Sequence, residues 1–219
     1  MINKLVTTVL NWIFPPKCVL CECLLPDSSR DICAECEISV RVFSHELWKI
    51  PSVKHWIALW QYTGFVRNSL VRYKFSRRRN YSPTYARELA RRIRESKLTW
   101  DVITWVPISF LRRVERGYDQ VEILAADVGR ELEQKPVKLL HKCKHNRRQS
   151  GIRGMAARQR NVQGVYKVLD AEKVKGKRIL LLEDIVTTGA TVSECARTLK
   201  AAGAKEVSVA CVAVASKYY

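Results

Sequence analysis

The sequence predicts an α/β fold with a mostly parallel, twisted sheet and a small metal-binding module at the N-terminal end. Three observations predict it. From residue 100 onward, strand-like apolar runs alternate with helical patterns. The run 177–184, KRILLLED, is nearly continuous in apolar residues, as expected of a strand buried on both faces. Five of the eight cysteines fall within residues 18–36, ahead of these runs.

The N-terminal part divides into two expected regions. Residues 1–40 are expected to form a zinc-ribbon-like four-cysteine module, and residues 41–99 a basic connector and helical region packed on the core. Within the connector, two basic helices are predicted around a loop at 77–83. In the second helix, Tyr85, Leu89 and Ile93 recur at four-residue steps and so share one face.

Residues 100–219 are expected to form the main α/β domain. Its final helix is predicted to end at Gly203, because glycine readily adopts the left-handed conformation that closes a helix. No apolar run approaches the length of a membrane span. Strands are expected at 101–108, 137–140, 164–168, 177–184 and 206–215, and helices at 118–133 and 191–204.

The net charge of +18 is concentrated in two segments. Residues 67–97 hold eleven Lys and Arg against two acids, and residues 138–160 hold eight with no acid. Clustered positive charge builds a local field and favours a polyanionic partner, although a solvated basic face is the plainer alternative. Tyrosine and phenylalanine side chains between the arginines suit stacking on single-stranded DNA. The residues predicted to contact nucleic acid are Arg72, Lys74, Arg77, Arg78 and Arg79.

The cysteine cluster contains two C-x-x-C pairs, Cys18 with Cys21 and Cys33 with Cys36, separated by eleven residues. Each pair can place two thiolates on one ion, and four thiolates complete the tetrahedron of a closed, structural Zn²⁺ site. Four unrelated buried thiols are the alternative. Cys23 is a spare cysteine that could replace Cys21, although the spacing argues against it.

The stretch 179–191, ILLLEDIVTTGAT, places two acids at the end of a buried strand and a threonine- and glycine-rich loop before a helix. Backbone N–H groups at a helix N-terminus form an anion pocket, and a glycine lets the backbone approach the anion closely. Because Glu183 and Asp184 would repel a phosphate, they are expected to face sugar hydroxyls or a Mg²⁺ bridged to them. The stretch therefore predicts a sugar-phosphate site.

The sequence lacks the loops of two other kinds of nucleotide site. An apolar strand ending in acids also occurs in Walker B sites, but those require a G-x-x-x-x-G-K-[ST] loop, which this sequence lacks. A G-x-G-x-x-G dinucleotide fingerprint is absent as well. A strand that ends in two acids by chance remains as the uninformative alternative.

The same stretch resembles the phosphoribosyl pyrophosphate (PRPP) signature of type I phosphoribosyltransferases. The resemblance implies that Glu183 and Asp184 hold the ribose hydroxyls, as the catalytic acids, and that Mg²⁺ accompanies PRPP. It also implies a mostly parallel sheet of the type I phosphoribosyltransferase kind. The loop residues implied to bind the 5′-phosphate are Thr187, Thr188, Gly189, Ala190 and Thr191.

Three further segments, 71–78, 106–129 and 147–168, resemble blocks of the ComF (competence protein F, or GntX-like) family, in the same order. Ser109 stands where that family usually has proline, and Asp119 where it has asparagine. The resemblance implies that residues 107–117 lie beside the pyrophosphate and that 144–161 form a hood loop over the site. The arginines implied to contact PRPP or its phosphates are Arg112, Arg116, Arg147 and Arg148.

The ComF resemblance implies a cytoplasmic protein, or one at the inner face of the membrane, that acts in DNA uptake and natural transformation. Its implied partners are PRPP or a related sugar phosphate, single-stranded DNA and a helicase-like competence protein. The alternative is an active phosphoribosyltransferase with an unknown acceptor. A metal-stabilised scaffold without catalysis is a third hypothesis, but it leaves the intact phosphate loop unexplained.

Overall fold

A computed structural model describes residues 15–40, 49–96, 98–143 and 162–215. The strands and helices alternate through most of the chain, as predicted. The strands are β1 (Trp56–Gln61), β2 (Val102–Trp105), β3 (Leu140–Lys142), β4 (Tyr166–Val168), β5 (Arg178–Val186) and β6 (Glu206–Val214). The helices are α1 (Ala34–Ser39), α2 (Gly64–Phe75), α3 (Ser82–Glu95), α4 (Phe110–Arg116), α5 (Gln120–Glu131) and α6 (Ala190–Ala201).

Four strands form a parallel sheet in the order β1-β6-β5-β2. The predicted α/β class with a mostly parallel sheet is therefore confirmed. Strand β1, which lies within the region expected to be a connector, pairs along β6 and is an edge strand of this sheet. A separate antiparallel pair joins β3 to β4.

The register of the sheet fixes where the acids lie. Trp105, the last residue of β2, pairs with Leu182 of β5. Glu183 and Asp184 follow Leu182 directly, so they lie just past the carboxyl end of β2 while β5 is still paired with β6. Ligands of parallel α/β sheets bind at such carboxyl ends.

Helices cover both faces of the sheet and build two hydrophobic clusters. Helices α2, α3 and α5 pack on one face, and helix α6 with the β3–β4 pair packs on the other. Tyr85, Leu89 and Ile93 of α3 are fully buried, as their spacing predicts. Burying a leucine side chain of this kind stabilises the fold by roughly 1.5–3 kcal/mol.

The ends of the helices follow local chemistry. Asp119 caps α5, because its Oδ1 accepts hydrogen bonds from the amides of Val121 (3.0 Å) and Glu122 (3.2 Å). Asparagine caps a helix in the same way, so this departure from the ComF pattern keeps the cap. After α6, Gly203 has a φ of +91°, the left-handed conformation predicted for it.

The part of the chain before β1 packs against the same core as the helices. Cys18, Leu20 and Cys36 are almost fully buried and belong to the cluster that includes α2 and α3. Within the described ranges, every helix is too short or too polar to cross a bilayer.

Candidate functional site: a cleft at the carboxyl ends of the strands

A cleft of about 350 Å³ opens at the carboxyl ends of β2 and β5. It gathers most of the residues predicted to bind a sugar phosphate, together with several that the sequence did not assign to it. The predicted lining residues are Arg112, Arg116, Glu183, Asp184, Thr187 and Thr191. The additional polar residues are Tyr62, Lys74, Gln120, Lys142 and Tyr166.

The loop after β5 turns sharply into α6. Gly189 precedes the helix with a φ of +76°, and a Cβ at this position would lie 3.2 Å from Ile50 Cγ1. Both the left-handed backbone and the close neighbour favour glycine. Thr188 Oγ1 accepts a long hydrogen bond (3.4 Å) from the Ala190 amide. Gly189 and Ala190 also line a small indentation of about 20 Å³ beside the cleft.

The two acids at the end of β5 have different environments. Burial opposes ionisation of Asp184, but the Lys74 ammonium, 2.8 Å from Oδ1, outweighs it and lowers the pKa of Asp184. The Gln120 amide also donates to Asp184 Oδ2 at 3.0 Å. Burial and the neighbouring Asp184 carboxylate raise the pKa of Glu183 well above its usual range. The pair therefore combines an ionised Asp184 with a Glu183 that favours its protonated form.

The positive side of the cleft comes partly from residues 110–116, for which no helix was predicted. They form the short helix α4, whose apolar side chains Phe110, Leu111 and Val114 are more than half exposed. Arg112 and Arg116 of this helix line the cleft, and the Arg116 guanidinium lies over the Phe75 ring, 5.0 Å from its centre.

Lys142 is a buried lysine that sequence reasoning missed. It lies at the end of β3, is 8% exposed, and its Nζ lies 5.4 Å from the centre of the Tyr166 ring on β4. Burial, with a contribution from the Arg112 guanidinium, lowers the pKa of Lys142 to about 8. The only sequence signal was its position within the basic run 138–160.

The five residues predicted to contact nucleic acid divide into two groups. Lys74 points into the cleft, and Arg72 donates to the carbonyl of Leu20 at 2.6 Å. The other three are exposed, but two of them have partners in the protein. Arg78 lies 3.7 Å from Glu22, Arg79 lies over the Tyr118 ring at 4.4 Å, and Arg77 is exposed with a φ of +55°.

The aromatic rings between these arginines do not form a stacking surface. Tyr73, Tyr81 and Tyr85 are at most 5% exposed, and the rings of Tyr73 and Tyr81 each pack edge to face on Tyr85. The expectation that they stack on bases is therefore wrong, because these three rings are buried in the core. Phe75 is the exception, at 57% exposed. Arg147 and Arg148, with the expected hood loop 144–161, lie outside the described residues.

The four predicted metal ligands lie together. The Sγ atoms of Cys18, Cys21, Cys33 and Cys36 are all within 4.8 Å of one another, and those of Cys21 and Cys33 are 3.7 Å apart. Tetrahedral Zn–S bonds of 2.3 Å place sulfurs about 3.8 Å apart. The cluster could hold a metal ion, and Cys23 is exposed and not part of it.

Backbone amides support the sulfur cluster. The Cys33 amide donates to Cys18 Sγ and the Cys36 amide donates to Cys33 Sγ, each at 3.4 Å. Such N–H donors stabilise thiolate charge, and the separation of 3.7 Å between Cys21 and Cys33 is far longer than a disulfide bond. The donor set therefore fits a soft divalent cation of the zinc type.

Most of the residues that line the cleft lie within a domain that matches a known family. The phosphoribosyl transferase domain family matches residues 84–218. Competence protein F from Haemophilus influenzae is 23% identical over 88% of this chain and 94% of its own length. Competence protein ComFC from Streptococcus pneumoniae is 29% identical over 80% of this chain and 76% of its own.

A third relative also aligns along most of the chain. The DNA utilization protein YhgH from Escherichia coli K12 is 25% identical over 84% of this chain and 85% of its own length. The similarity to these relatives covers 80–88% of the chain, more than the span of the domain match. The chain belongs to the phosphoribosyl transferase family, with Competence protein F and ComFC among its relatives.

Proposed function

We propose that the cleft binds PRPP and that the protein, which has competence-named relatives, acts in the handling of DNA during uptake. The observation that carries the proposal is the meeting of acids, a phosphate-type loop and cations around one cleft of about 350 Å³. Each group suits one part of PRPP. The loop 187–191 suits the 5′-phosphate, Glu183 and Asp184 suit the ribose hydroxyls, and Arg112 and Arg116 suit the diphosphate.

Displacement of diphosphate from the anomeric carbon develops positive charge on the ribose and negative charge on the leaving group. The ionised Asp184 stabilises the first, and Arg112, Arg116 and Lys142 stabilise the second. Mg²⁺, when bound to PRPP, supplies further neutralisation of the diphosphate. Asp184 already accepts hydrogen bonds from Lys74 and Gln120, so we expect the ion to be held chiefly by oxygens of the ligand.

The proposal is tested by calorimetric titration of PRPP with Mg²⁺ into wild-type protein and Asp184→Asn. We expect the substitution to weaken binding about 10- to 100-fold, because a charged hydrogen-bond partner contributes roughly 1.5–3 kcal/mol. Asp170→Asn is a matched control, since Asp170 is also ion-paired (3.0 Å to Lys173) but lies on the surface away from the cleft. Absence of PRPP binding by the wild type would refute the proposal.

Single-stranded DNA is the second proposed ligand, and Zn²⁺ the proposed occupant of the cysteine cluster. The DNA proposal is supported by the exposed run Arg77, Arg78 and Arg79 and by the surplus of positive charge between residues 67 and 97. Affinity for an oligonucleotide should fall by about 0.7 log units per log unit of salt for each phosphate contacted. An oligonucleotide affinity that does not change with salt concentration would exclude DNA as a ligand. Binding of a helicase-like protein would then be tested in the absence of DNA.

Transfer of phosphoribose to an acceptor is the alternative function. It is favoured by the different pKa shifts of the two acids, raised for Glu183 and lowered for Asp184. Asp184 therefore stays ionised next to the expected position of the anomeric carbon. Release of pyrophosphate from PRPP, measured with candidate bases, distinguishes an active enzyme from a binding protein. Under the alternative, Asp184→Asn abolishes release.

A further inference from the structure

Helix α2 binds the cysteine module along one side. The Ser69 hydroxyl donates to the carbonyl of Val19, and it also lies 2.5 Å from the hydroxyl of Tyr85. Arg72 donates to the carbonyls of Leu20 (2.6 Å) and Val19 (3.4 Å). Both carbonyls belong to the short segment between the first two cysteines of the cluster. That segment therefore contributes to the positions of Ser69 and Arg72.

The last turn of the same helix is bound to the cleft. The Tyr73 hydroxyl donates to the backbone carbonyl of Gln120 at 2.7 Å, and the Tyr118 hydroxyl donates to the backbone carbonyl of Tyr73. The next residue, Lys74, donates to Asp184, whose other oxygen accepts from the Gln120 side chain. On α2, Arg72, which contacts the cysteine module, and Lys74, which contacts Asp184, are therefore only two residues apart.

Lys74 has the properties of a ligand-binding cation. Its side chain is 17% exposed, and the exposed part lines the cleft. Its charge lowers the repulsion between Asp184 and an incoming phosphate group. Lys74 precedes residues 84–218, so it comes from outside the matched phosphoribosyl transferase domain. Its position against Asp184 disfavours the DNA contact predicted for it from the sequence.

We propose that Lys74 binds the phosphate-bearing ligand of the cleft, and that the metal-loaded cysteine module positions it there through helix α2. The inference rests on the proposed sugar-phosphate function and assigns a further residue to that site. A metal ion holds the four thiolates at one spacing, which fixes the Val19 and Leu20 carbonyls. Those carbonyls hold α2 through Ser69 and Arg72. Removing the metal loosens this side of the helix at Ser69 and Arg72 and shifts the Lys74 ammonium.

Substitutions at Lys74 and in its link to the cysteine module separate the binding role from the positioning role. Lys74→Met removes the cation and leaves the cysteine module intact, and Lys74→Arg restores a cation. The double variant Ser69→Ala with Arg72→Met breaks the link without altering a cysteine or a residue of the cleft. Arg87→Met is the matched control, because Arg87 on α3 binds Asp31 of the module at 2.9 Å, through a contact that does not involve α2.

The first readout is affinity for PRPP with Mg²⁺, measured for Zn²⁺-loaded full-length protein and for protein from which the metal has been removed. We expect metal removal to weaken binding by about tenfold in wild type and in Arg87→Met, within the range usual for coupled sites. In the double variant Ser69→Ala with Arg72→Met, PRPP affinity should be low even with the metal bound, and metal removal should change it little. Lys74→Met should bind about tenfold more weakly with metal present, and Lys74→Arg should recover most of the loss.

The second readout needs no ligand. Amide hydrogen exchange in residues 64–75 should accelerate on metal removal, while β5 and β6 stay protected and report that the domain remains folded. Unchanged exchange in α2 overturns the proposed link, whatever PRPP does. Equal PRPP affinity with and without metal overturns it as well. If PRPP binds no form of the protein, the proposed function fails. Inorganic pyrophosphate then replaces PRPP as the probe of Lys74. Equal pyrophosphate binding by wild type and Lys74→Met would overturn the assignment of Lys74 as a ligand-binding residue.

Discussion

Replacing Lys142 with methionine should stabilise the protein and weaken its cleft at the same time. The lysine is buried beside Arg112 and Tyr166, and its pKa falls from an ordinary 10.5 to about 8. At 1.36 kcal/mol for each tenfold change in proton affinity, this difference corresponds to about 3 kcal/mol. That free energy is the cost of keeping the ammonium charged inside the fold, and methionine removes the charge while filling a similar volume.

The sign of the pH dependence follows from proton binding. Between pH 8 and 10.5 the unfolded chain keeps a proton on Lys142 that the folded chain releases, so the free energy of unfolding rises with pH in this window. Below pH 8 the lysine is charged in both states and the full cost is present. Lys142→Met should therefore exceed the wild type in stability by up to about 3 kcal/mol at pH 7, and by less at pH 10.

Urea denaturation at pH 7 and pH 10 measures this difference, and titration with inorganic pyrophosphate measures the cleft. Pyrophosphate affinity of the wild type should fall as pH rises through about 8, where Lys142 loses its proton, and Lys142→Met should lack that step. Lys167→Met is the matched control, since Lys167 is an exposed lysine on the partner strand. A Lys142→Met protein that is no more stable at pH 7, or that binds pyrophosphate as tightly as wild type, would refute the reasoning.

Two further substitutions test the loop and the metal cluster. Gly189→Ala should lower stability by about 1–2 kcal/mol in urea denaturation, because its φ of +76° is strained for alanine, and should also weaken PRPP binding. Gly203 also has a positive φ, +91°, but lies away from the cleft, so Gly203→Ala should lose as much stability as Gly189→Ala and keep the wild-type affinity for PRPP. Equal PRPP affinities of the two variants would contradict the role of the loop. Cys36→Ser should lower the bound zinc, measured by elemental analysis, whereas Cys23→Ser should not. Full zinc in Cys36→Ser would exclude the four-cysteine site.

The acidic strand, its loop and the following helix were predictable because their signals are local. The apolar run of β5 can only be a buried strand in this context, and the glycine at 189 marks the turn into α6. The spacing of Tyr85, Leu89 and Ile93 likewise determined which face of α3 is buried. In each case a periodicity or a single residue type carries the structural information.

The rest of the cleft depends on contacts between distant parts of the chain. Lys74 and Asp184 are 110 positions apart, and nothing in either neighbourhood indicates that the two side chains meet. The burial of Lys142 could not be predicted from the sequence for the same reason, because it depends on how β3 packs against the rest of the domain. Helix α4 was missed because its apolar residues are exposed and follow no buried period. Charge in the sequence indicated an anionic ligand, but only the fold distinguishes cleft cations from surface cations.

A structure of the protein with ribose 5-phosphate is the most direct test of the sugar-phosphate site. The account predicts the phosphate oxygens within hydrogen-bonding distance of amides in the loop 187–191, and the ribose hydroxyls on Glu183 and Asp184. A ligand bound elsewhere, or a loop left empty at saturating ligand, would contradict it.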